Sequence, residues 1–542
     1  MKADKLFLGN VITMEDEQLT AEAVAVADGK IIFVGSAEDA KDYVDENTVI
    51  TDYGKNTIYP GFIESHCHSM LAGARINLQA DLTEGESLQD YIDTLKKWME
   101  DHPGRTNYQG AGWKLCDFEP HKSILDEICP DVPMFLNSFD GHSVWLNSAA
   151  IELCGFNQES VEEFGEELVR VDENGELTGY ISEKPAIDIT KAIAELMTPD
   201  VMLECLQAWQ EFAFSQGITA CQEAACSVGL VPVVAELFKS DKLKIRTGLS
   251  VLIDELTDTD VKAFVENVSG MVDLFDGAYA KINSIKAFVD GVIEAHTGWL
   301  LDEYLDEPGY YGIQRFSDPE AMKQLMMAAA EKNLFVHTHC IGDAATKCVV
   351  DGIEAARKED GRYDQKNQIA HLQVVRPEDI KRMGELNVTA AVPPLWTPKT
   401  VAPVQDEIEI RSMGIDRFEN AYPIKSFMDE GCMIVFHSDF PVSPEMSVPR
   451  SVYMAVTRKN PDNPEGEPRN GAECISRLDA LKAMTVNAAI QLGDIDNIGT
   501  LAPGKVANMV VYNCDFMKDE LDEVVAAQLQ ATIVDGDIVF EN

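Results

Sequence analysis

Apolar strand candidates that end in polar residues are the feature that most limits how this chain can fold. Between about residues 59 and 492, such strands alternate with helical stretches, for example over 319–332 and 377–386. That alternation predicts βαβ units and a parallel sheet. In a β/α barrel the chemistry lies at the carboxyl ends of the strands, so polar residues at these ends are the first candidates for a site. The strand candidates with polar ends are 61–68, 285–290, 334–339, 368–371 and 433–439.

The two ends of the chain share a strand-like pattern that the middle lacks. Because strands must pair to satisfy their backbone groups, we predict that residues 1–58 and 493–542 form one composite β domain. Residues 59–492 would then be inserted between its two halves. Within them, residues 69–197 have long loops and poor alternation, which indicates an inserted lobe. The strand-like runs and Asp-Gly turn signals of the two ends are 6–14, 23–27, 28–29, 31–34, 506–512, 532–540 and 535–536.

The charge of the chain argues against two classes of partner. Its 93 acidic and 44 basic residues give a formal net charge of −49, which repels phosphate backbones and anionic lipid surfaces. We therefore expect a small-molecule substrate, with no nucleic acid and no membrane. The acidic stretches 159–176 and 254–276 indicate solvated faces in preference to calcium sites.

Composition and cysteine usage predict a folded, cytoplasmic protein. Hydrophobic residues make up 45% and aromatic residues 8% of the chain, as in globular proteins. The 12 cysteines show no CxxC spacing, so reduced thiols are the simplest interpretation. Residues 1–15 lack the apolar core of a signal peptide, and no run of about 18 apolar residues offers a membrane span. These patterns leave the oligomeric state open, and a homodimer is one hypothesis.

A pair of histidines closes the first strand of the barrel segment. His66 and His68 flank Cys67, and a spacing of two places both imidazoles on one face of the strand. Both can therefore reach one metal ion. Histidines of the core or the surface account for about half of such pairs.

Two further histidines end later strand candidates. His339 closes 334–339 and His371 closes 368–371, on the same side of a barrel. For either residue alone, a core histidine is the favoured interpretation. The convergence of four imidazoles at equivalent positions favours a metal site instead. His337 and His437 lie one layer deeper and are candidates for a supporting or core role.

A carboxylate and a lysine complete the set of candidates. Asp439 follows the apolar run 433–436 and could bind metal and accept a proton, although a helix N-cap or turn role is equally common. Lys286 lies inside a strand pattern, where a free ammonium group is unfavourable unless it is paired or neutralised. From spacing alone, pairing with Asp290 or another carboxylate is the favoured explanation.

These motifs, in this order, resemble the amidohydrolase superfamily and its YtcJ-like subgroup, which includes N-substituted formamide deformylase. The matching stretches are spread over nearly the whole chain. They are residues 59–68, 140–143, 286–291, 337–343, 369–371, 438–442 and 499–505.

The resemblance implies an α/β fold: a (β/α)8 TIM-like barrel of the metal-dependent hydrolase type, with a small β-sandwich domain formed by both termini and an inserted lobe. It also implies one or two divalent metal ions, usually zinc, and a carboxylated Lys286 that bridges them. In this arrangement, Asp439 binds metal and acts as the general base. The implied ligands are His66, His68, Lys286, His339, His371 and Asp439.

The resemblance further implies a metal-dependent hydrolase that cleaves an amide-type C–N bond of a small molecule, other than a peptide bond, through metal-activated hydroxide. A metal lowers the pKa of bound water from about 15.7 to about 7. An isomerase, lyase or esterase on the same scaffold, or a non-catalytic binding or regulatory protein, are the alternatives. Two residues, His296 and His437, depart from the usual pattern of the family.

Several residues in loops or in the inserted lobe are candidates to contact the substrate. His142 is the first choice, as a catalytic hydrogen-bond donor to the substrate or its oxyanion. Tryptophans are as often core residues, and an Asp-Gly pair is as often a turn. The candidates are Trp113, Asp140, His142, Glu183 and Trp396.

Overall fold

The computed structural model describes the chain except for a few short segments. It divides into two units, one formed by Met1–His68 with Gln210–Asn542 and the other by Ser69–Trp209. The residues outside the description are 115–117, 140–141, 184, 187–188, 190–192, 194–195, 255–259, 361–365 and 402, together with the side chains of 360 and 403.

Strands and helices follow one another in the order below. The strands are β1 (Lys5–Ile12), β2 (Thr20–Ala27), β3 (Lys30–Gly35), β4 (Val49–Pro60), β5 (Phe62–Cys67), β6 (Gln79–Asp81), β7 (Tyr108–Trp113), β8 (Met134–Ser138), β9 (Ser143–Leu146), β10 (Val169–Val171), β11 (Leu177–Ser182), β12 (Ile218–Ser227), β13 (Arg246–Leu252), β14 (Ala280–Phe288), β15 (Phe335–Cys340), β16 (Gln368–His371), β17 (Thr389–Val392), β18 (Ile434–Phe436), β19 (Met509–Tyr512), β20 (Leu529–Val534) and β21 (Asp537–Glu541). The helices are α1 (Ser69–Leu78), α2 (Leu88–Asp101), α3 (Lys122–Asp126), α4 (Ser148–Cys154), α5 (Gln158–Phe164), α6 (Pro199–Ser215), α7 (Val231–Phe238), α8 (Val261–Ser269), α9 (Pro319–Glu331), α10 (Asp343–Asp360), α11 (Pro377–Glu385), α12 (Pro403–Met413), α13 (Ile415–Glu419), α14 (Ile424–Asp429), α15 (Val448–Thr457), α16 (Arg477–Ala483), α17 (Val486–Leu492) and α18 (Leu521–Val525).

The first unit contains an eight-stranded parallel sheet that forms a nearly closed barrel. Its strand order is β5-β12-β13-β14-β15-β16-β17-β18, so the strands run in chain order and helices connect them. Strands β5, β16, β17 and β18 are buried along their whole length, as expected where a parallel sheet is covered on both faces. Two hydrogen bonds join the ends of β5 and β18, from the Asp439 amide to the His66 carbonyl and from the His68 amide to the Phe440 carbonyl. The predicted parallel barrel is thereby confirmed.

The two ends of the chain pair within one seven-stranded sheet of the same unit. Its order is β21-β20-β19-β4-β1-β2-β3, and β19 from the C-terminal end lies antiparallel to β4 from the N-terminal end. Residues from both ends, including Phe7, Ile58, Val511 and Ile533, share one apolar core. The sandwich arrangement is not confirmed, because strands from both ends form a single sheet among the described residues. This sheet and the barrel lie in one unit.

The second unit comprises Ser69–Trp209. The predicted boundaries of the lobe and of the domains stay predictions. The unit has a six-stranded sheet in the order β10-β11-β9-β8-β7-β6. Aromatic side chains such as Trp113 and Trp145 fill its core. Helix α2 begins at a capping box in which Ser87 and Asp90 satisfy each other's amide groups, which defines its start. Within the described parts of both units, every helix is too short or too polar to span a bilayer.

Candidate metal centre

A carboxylate and two imidazoles meet where the first and last barrel strands end. Strand β5 positions His66, His68 follows it, and Asp439 lies just beyond β18 with a positive φ of 61°. Asp439 Oδ1 is 3.2 Å from His66 Nε2 and 3.4 Å from His68 Nε2. One ligand atom from each of the three residues lies within 4.8 Å of the other two. The arrangement brings together three residues that are separate in sequence.

The hydrogen bonds behind His66 determine which of its nitrogens carries the proton. The Gln368 amide nitrogen donates to the Ser65 carbonyl at 3.2 Å and to His337 Nε2 at 3.1 Å, so this imidazole nitrogen is an acceptor. His66 Nδ1 lies 2.8 Å from the same nitrogen, and we assign the proton of this shorter contact to His66 Nδ1. Burial and the nearby Lys286 hold the pKa of His66 well below its usual value, so the ring is neutral. Its Nε2 then carries a lone pair.

The lone pair of His66 Nε2 faces Asp439 Oδ1, and the chemistry of these two atoms shows whether the residues fit a metal ion. Two acceptor atoms 3.2 Å apart in a buried site repel each other unless a cation lies between them. Imidazole nitrogen and carboxylate oxygen are also the donor types that Zn²⁺ accepts. The residues therefore fit a divalent cation. His337 Nδ1 in turn donates its proton to Ser250 Oγ at 2.9 Å, and this bond orients the ring of His337 behind His66.

The other two predicted imidazoles lie beside this group. The ring of His371 is 4.9 Å from that of His66 and 4.4 Å from that of His339, measured between centroids. His339 Nε2 lies 3.1 Å from the Gly291 carbonyl oxygen. The indole of Trp396 stacks on His371 at 5.5 Å with an interplanar angle of 7°. The four histidines thus cluster at one end of the barrel.

Lys286 extends from β14 into this cluster as a fully buried side chain. Its Nζ has no hydrogen-bond partner among the described residues and lies 4.7 Å from the Phe288 ring. Burial lowers the pKa of Lys286 to about 8, against the opposing effect of Asp439. The pairing with Asp290 that spacing favours is not made. The Asp290 carboxylate instead accepts the backbone amides of Trp299, Ile341 and Gly342.

Two residues near the centre were not singled out from the sequence. The buried Glu64 carboxylate accepts the Ser438 amide at 3.0 Å and the His66 amide at 3.2 Å, so it connects β5 to the segment that carries Asp439. Burial raises the pKa of Glu64 to about 8, although these hydrogen bonds oppose the shift. The signal in the sequence is an acidic residue inside an apolar strand. Gln368, which orients His337, is likewise a polar residue in a buried strand.

The two histidines that depart from the family pattern lie in different surroundings. His437 is buried, with its ring 5.0 Å from His66 and 5.1 Å from His371, and burial lowers its pKa to about 4. His296 instead bonds with local side chains, through Nδ1 to Glu307 at 3.1 Å and through Nε2 to Ser412 at 3.0 Å. His437 therefore belongs to the cluster, whereas His296 stabilises a loop.

The substrate-contact candidates fall into three groups. Trp396 stacks on His371 and lines a cavity at the metal centre. Trp113 is buried in the second unit and donates its indole N–H to the Leu136 carbonyl at 2.8 Å. His142 and Glu183, also in the second unit, are exposed and lie 3.4 Å apart. Asp140 is outside the described residues. The roles of these residues toward a substrate stay predictions.

The cavity beside the centre has a volume of about 390 Å³. Its lining includes residues just beyond the strands that carry the predicted ligands: Ile341 follows β15, Gln373 lies shortly after β16, and Val442 lies shortly after Asp439. Two carboxylates, Glu294 and Glu409, and two aromatic rings, Trp396 and Tyr422, also line it. This volume is in the range of small-molecule sites.

The amidohydrolase family model matches residues 52–540. The chain belongs to the amidohydrolase family. YtcJ of Bacillus subtilis (strain 168) is 27% identical to this amidohydrolase over 98% of both chains. N-substituted formamide deformylase of Arthrobacter pascens is 22% identical over 98% of this chain and 97% of its own length. The predicted resemblance is confirmed by these matches.

A solved structure shows the same fold over almost the whole amidohydrolase. It is that of an uncharacterized metal-dependent hydrolase from Pyrococcus horikoshii OT3, with a TM-score of 0.75 and 23% identity. The match covers 95% of this chain and 99% of the other. Family membership supports a hydrolase activity.

Proposed function

We propose that this amidohydrolase hydrolyses an amide-type C–N bond of a small molecule, with one or two divalent cations, zinc in the first instance. One observation carries the proposal. The Asp439 carboxylate faces His66 Nε2, which carries a lone pair, and His68 Nε2 within 3.4 Å. A non-catalytic binding protein has no need of a proton-accepting carboxylate at such a position.

The proposed ligands divide into two groups around one lysine. His66, His68 and Asp439 would hold one cation, and His339 and His371 would hold a second. Lys286 would lie between them as a carbamate. The amine nitrogen attacks carbon dioxide, an N–C bond forms, and one proton leaves to solvent. The product is an anion with two oxygen donors. An amine that is buried, unpartnered and easily deprotonated suits this reaction.

The proposed reaction consumes one amide and one water and yields a carboxylic acid and an amine. When bound, a divalent cation polarises the carbonyl and lowers the pKa of water from about 15.7 to about 7. Burial alone would raise the pKa of Asp439, but the neighbouring imidazoles, first that of His68, lower it below its usual range. Asp439 is therefore a carboxylate that accepts the water proton and donates it to the leaving nitrogen. The Glu64 carboxylate accepts the backbone amides of Ser438 and His66 and so fixes the backbone next to Asp439 and at His66.

Metal content is the first test. Protein grown with zinc and bicarbonate is analysed for bound metal beside Lys286→Ala and Asp439→Ala. The matched control is Lys281→Ala on the same strand, where Nζ bonds to the Gly493 carbonyl. We expect bound zinc in the parent and the control, and a marked loss in the other two variants. Parent protein without any bound metal would overturn the proposal.

A substrate panel then identifies the bond that is cleaved. It contains N-acyl amines, N-formyl compounds, cyclic imides and esters. Release of an amine, dependent on Asp439, supports the proposal. Turnover of esters alone, or a product isomeric with its substrate, would replace amide hydrolysis by one of the alternative reactions on this scaffold. Ligand-dependent stabilisation without turnover would indicate a binding protein.

A further inference from the structure

The lining of the cavity includes a buried carboxylate. Glu409, on α12, is 4% exposed and lines the cavity. Its Oε2 has no hydrogen-bond partner among the described residues. A buried carboxylate oxygen that accepts no hydrogen bond is unfavourable, because it has given up its water. This atom therefore lacks a donor that a ligand can supply.

The neighbouring arginine does not supply that donor. Arg469 Nη1 is 3.7 Å from Glu409 Oε2, beyond hydrogen-bonding distance. Its Nη2 lies 3.5 Å from Asp406, and the guanidinium packs over the Phe418 ring at 3.9 Å. The positive charge of Arg469 is thus already surrounded by two carboxylates and an aromatic face. An anionic ligand would have to compete with both carboxylates.

The remaining charges around the cavity favour a cation. Glu294 contributes a second lining carboxylate, whose Oε1 accepts a 3.3 Å hydrogen bond from Gln405 Nε2. Lys399 lines the cavity too, but its ammonium pairs with Glu419 at 2.8 Å. The net charge of −49 adds a long-range field that attracts cations and repels anions.

Aromatic rings line the same space. The indole of Trp396 and the ring of Tyr422 both line the cavity, with centroids 6.5 Å apart. Aromatic faces attract ammonium groups, above all where water is excluded. Carboxylates and aromatic faces together are typical of sites for protonated amines. Because Trp396 also stacks on His371, the cavity lies beside the candidate metal centre.

We propose that the substrate of this enzyme is an amide that carries a protonated amino group, and that this ammonium group binds in the cavity by donating to Glu409. The inference rests on the proposed amide hydrolysis, because it names the substrate class of that reaction. The scissile amide lies at the metal centre, and the alkyl segment crosses the apolar part of the cavity past Ile341 and Val442. Glu409 is a specificity residue and takes no part in the proton transfers.

Turnover of matched amides is the first half of the test. The substrates are N-formyl and N-acetyl derivatives of 1,3-diaminopropane, 1,4-diaminobutane and 1,5-diaminopentane, each beside the neutral N-alkyl amide of equal length. We expect kcat/KM to favour the cationic member of the best pair by about tenfold or more. Glu409→Gln should remove that preference by raising KM for the cationic amide, with kcat nearly unchanged. The matched control is Glu407→Gln on the exposed side of the same helix, which should keep the preference.

Binding without turnover is the second half and is independent of the chemistry. Titration calorimetry of the metal-loaded protein compares n-pentylammonium chloride with 1-pentanol. Ammonium-selective binding that Glu409→Gln abolishes supports the site, even if no amide is hydrolysed and the proposed function fails. Equal turnover of cationic and neutral amides, or equal binding of the two probes, overturns the inference and leaves amide hydrolysis in place. If Glu409→Gln does not fold, Glu294→Gln at the exposed part of the cavity should raise KM for the cationic amide alone.

Discussion

Replacement of His337 by leucine should weaken metal binding although His337 is not a proposed ligand. Its Nε2 accepts the hydrogen bond from His66 Nδ1 at 2.8 Å and thereby leaves His66 Nε2 free to bind metal. In His337→Leu the His66 N–H loses its acceptor in a fully buried site, and the ring loses its orientation. An unsatisfied buried donor costs about 1–3 kcal/mol.

Substitutions behind a metal ligand typically reduce affinity by about 10–100-fold. At about 1.4 kcal/mol per tenfold, that range is about 1.4–2.8 kcal/mol, in agreement with the penalty for an unsatisfied donor. We therefore expect the dissociation constant for zinc to rise by about 10–100-fold in His337→Leu. Competition with a chromophoric chelator measures this constant directly. Loss of catalytic rate at subsaturating zinc, restored by excess zinc, should accompany the change.

Two further variants separate orientation from packing. In His337→Gln the amide oxygen can accept the His66 N–H in place of Nε2, so most of the affinity should return. Ser250→Ala removes only the more distant contact, 2.9 Å from His337 Nδ1, and should have a smaller effect. Unchanged zinc affinity in His337→Leu would refute the tautomer assignment. Equal losses in the leucine and glutamine variants would show that His337 acts by packing alone.

The remaining predictions concern the backbone around the site. A Cβ on Gly342 would overlap the carbonyl oxygen of Trp299, so Gly342→Ala should destabilise the protein by about 1–3 kcal/mol in urea denaturation. Gly229→Ala has open space and should be neutral; equal effects of both would contradict the steric argument. Glu64→Ala leaves the Ser438 amide and that of a metal-site histidine without an acceptor. This variant should lower the free energy of unfolding by about 2–6 kcal/mol and reduce the amount of bound zinc. An unaltered denaturation curve would show that the Glu64 hydrogen bonds do not connect β5 to the segment that carries Asp439.

Local patterns in the sequence predict which side chains lie together at one end of the barrel. A period of two within a strand places His66 and His68 on one face, and parallel strands bring their carboxyl ends to one edge. These rules are local, so they apply before any tertiary contact is known. They predicted the clustering of His339, His371 and Asp439 from strand ends alone.

The contacts between groups that meet across the barrel depend on the tertiary fold. Spacing favoured a pair between Lys286 and Asp290, but the loops after β14 and β15 bring backbone amides to Asp290 and leave the lysine without a partner. The proton on His66 depends in the same way on contacts with Gln368 and His337, which lie far from it in sequence. Glu409 likewise lies on a helix, Pro403–Met413, and no local pattern predicts that it lines a cavity beside the strand ends. Such contacts depend on strand order and loop path, which no local pattern of residues encodes.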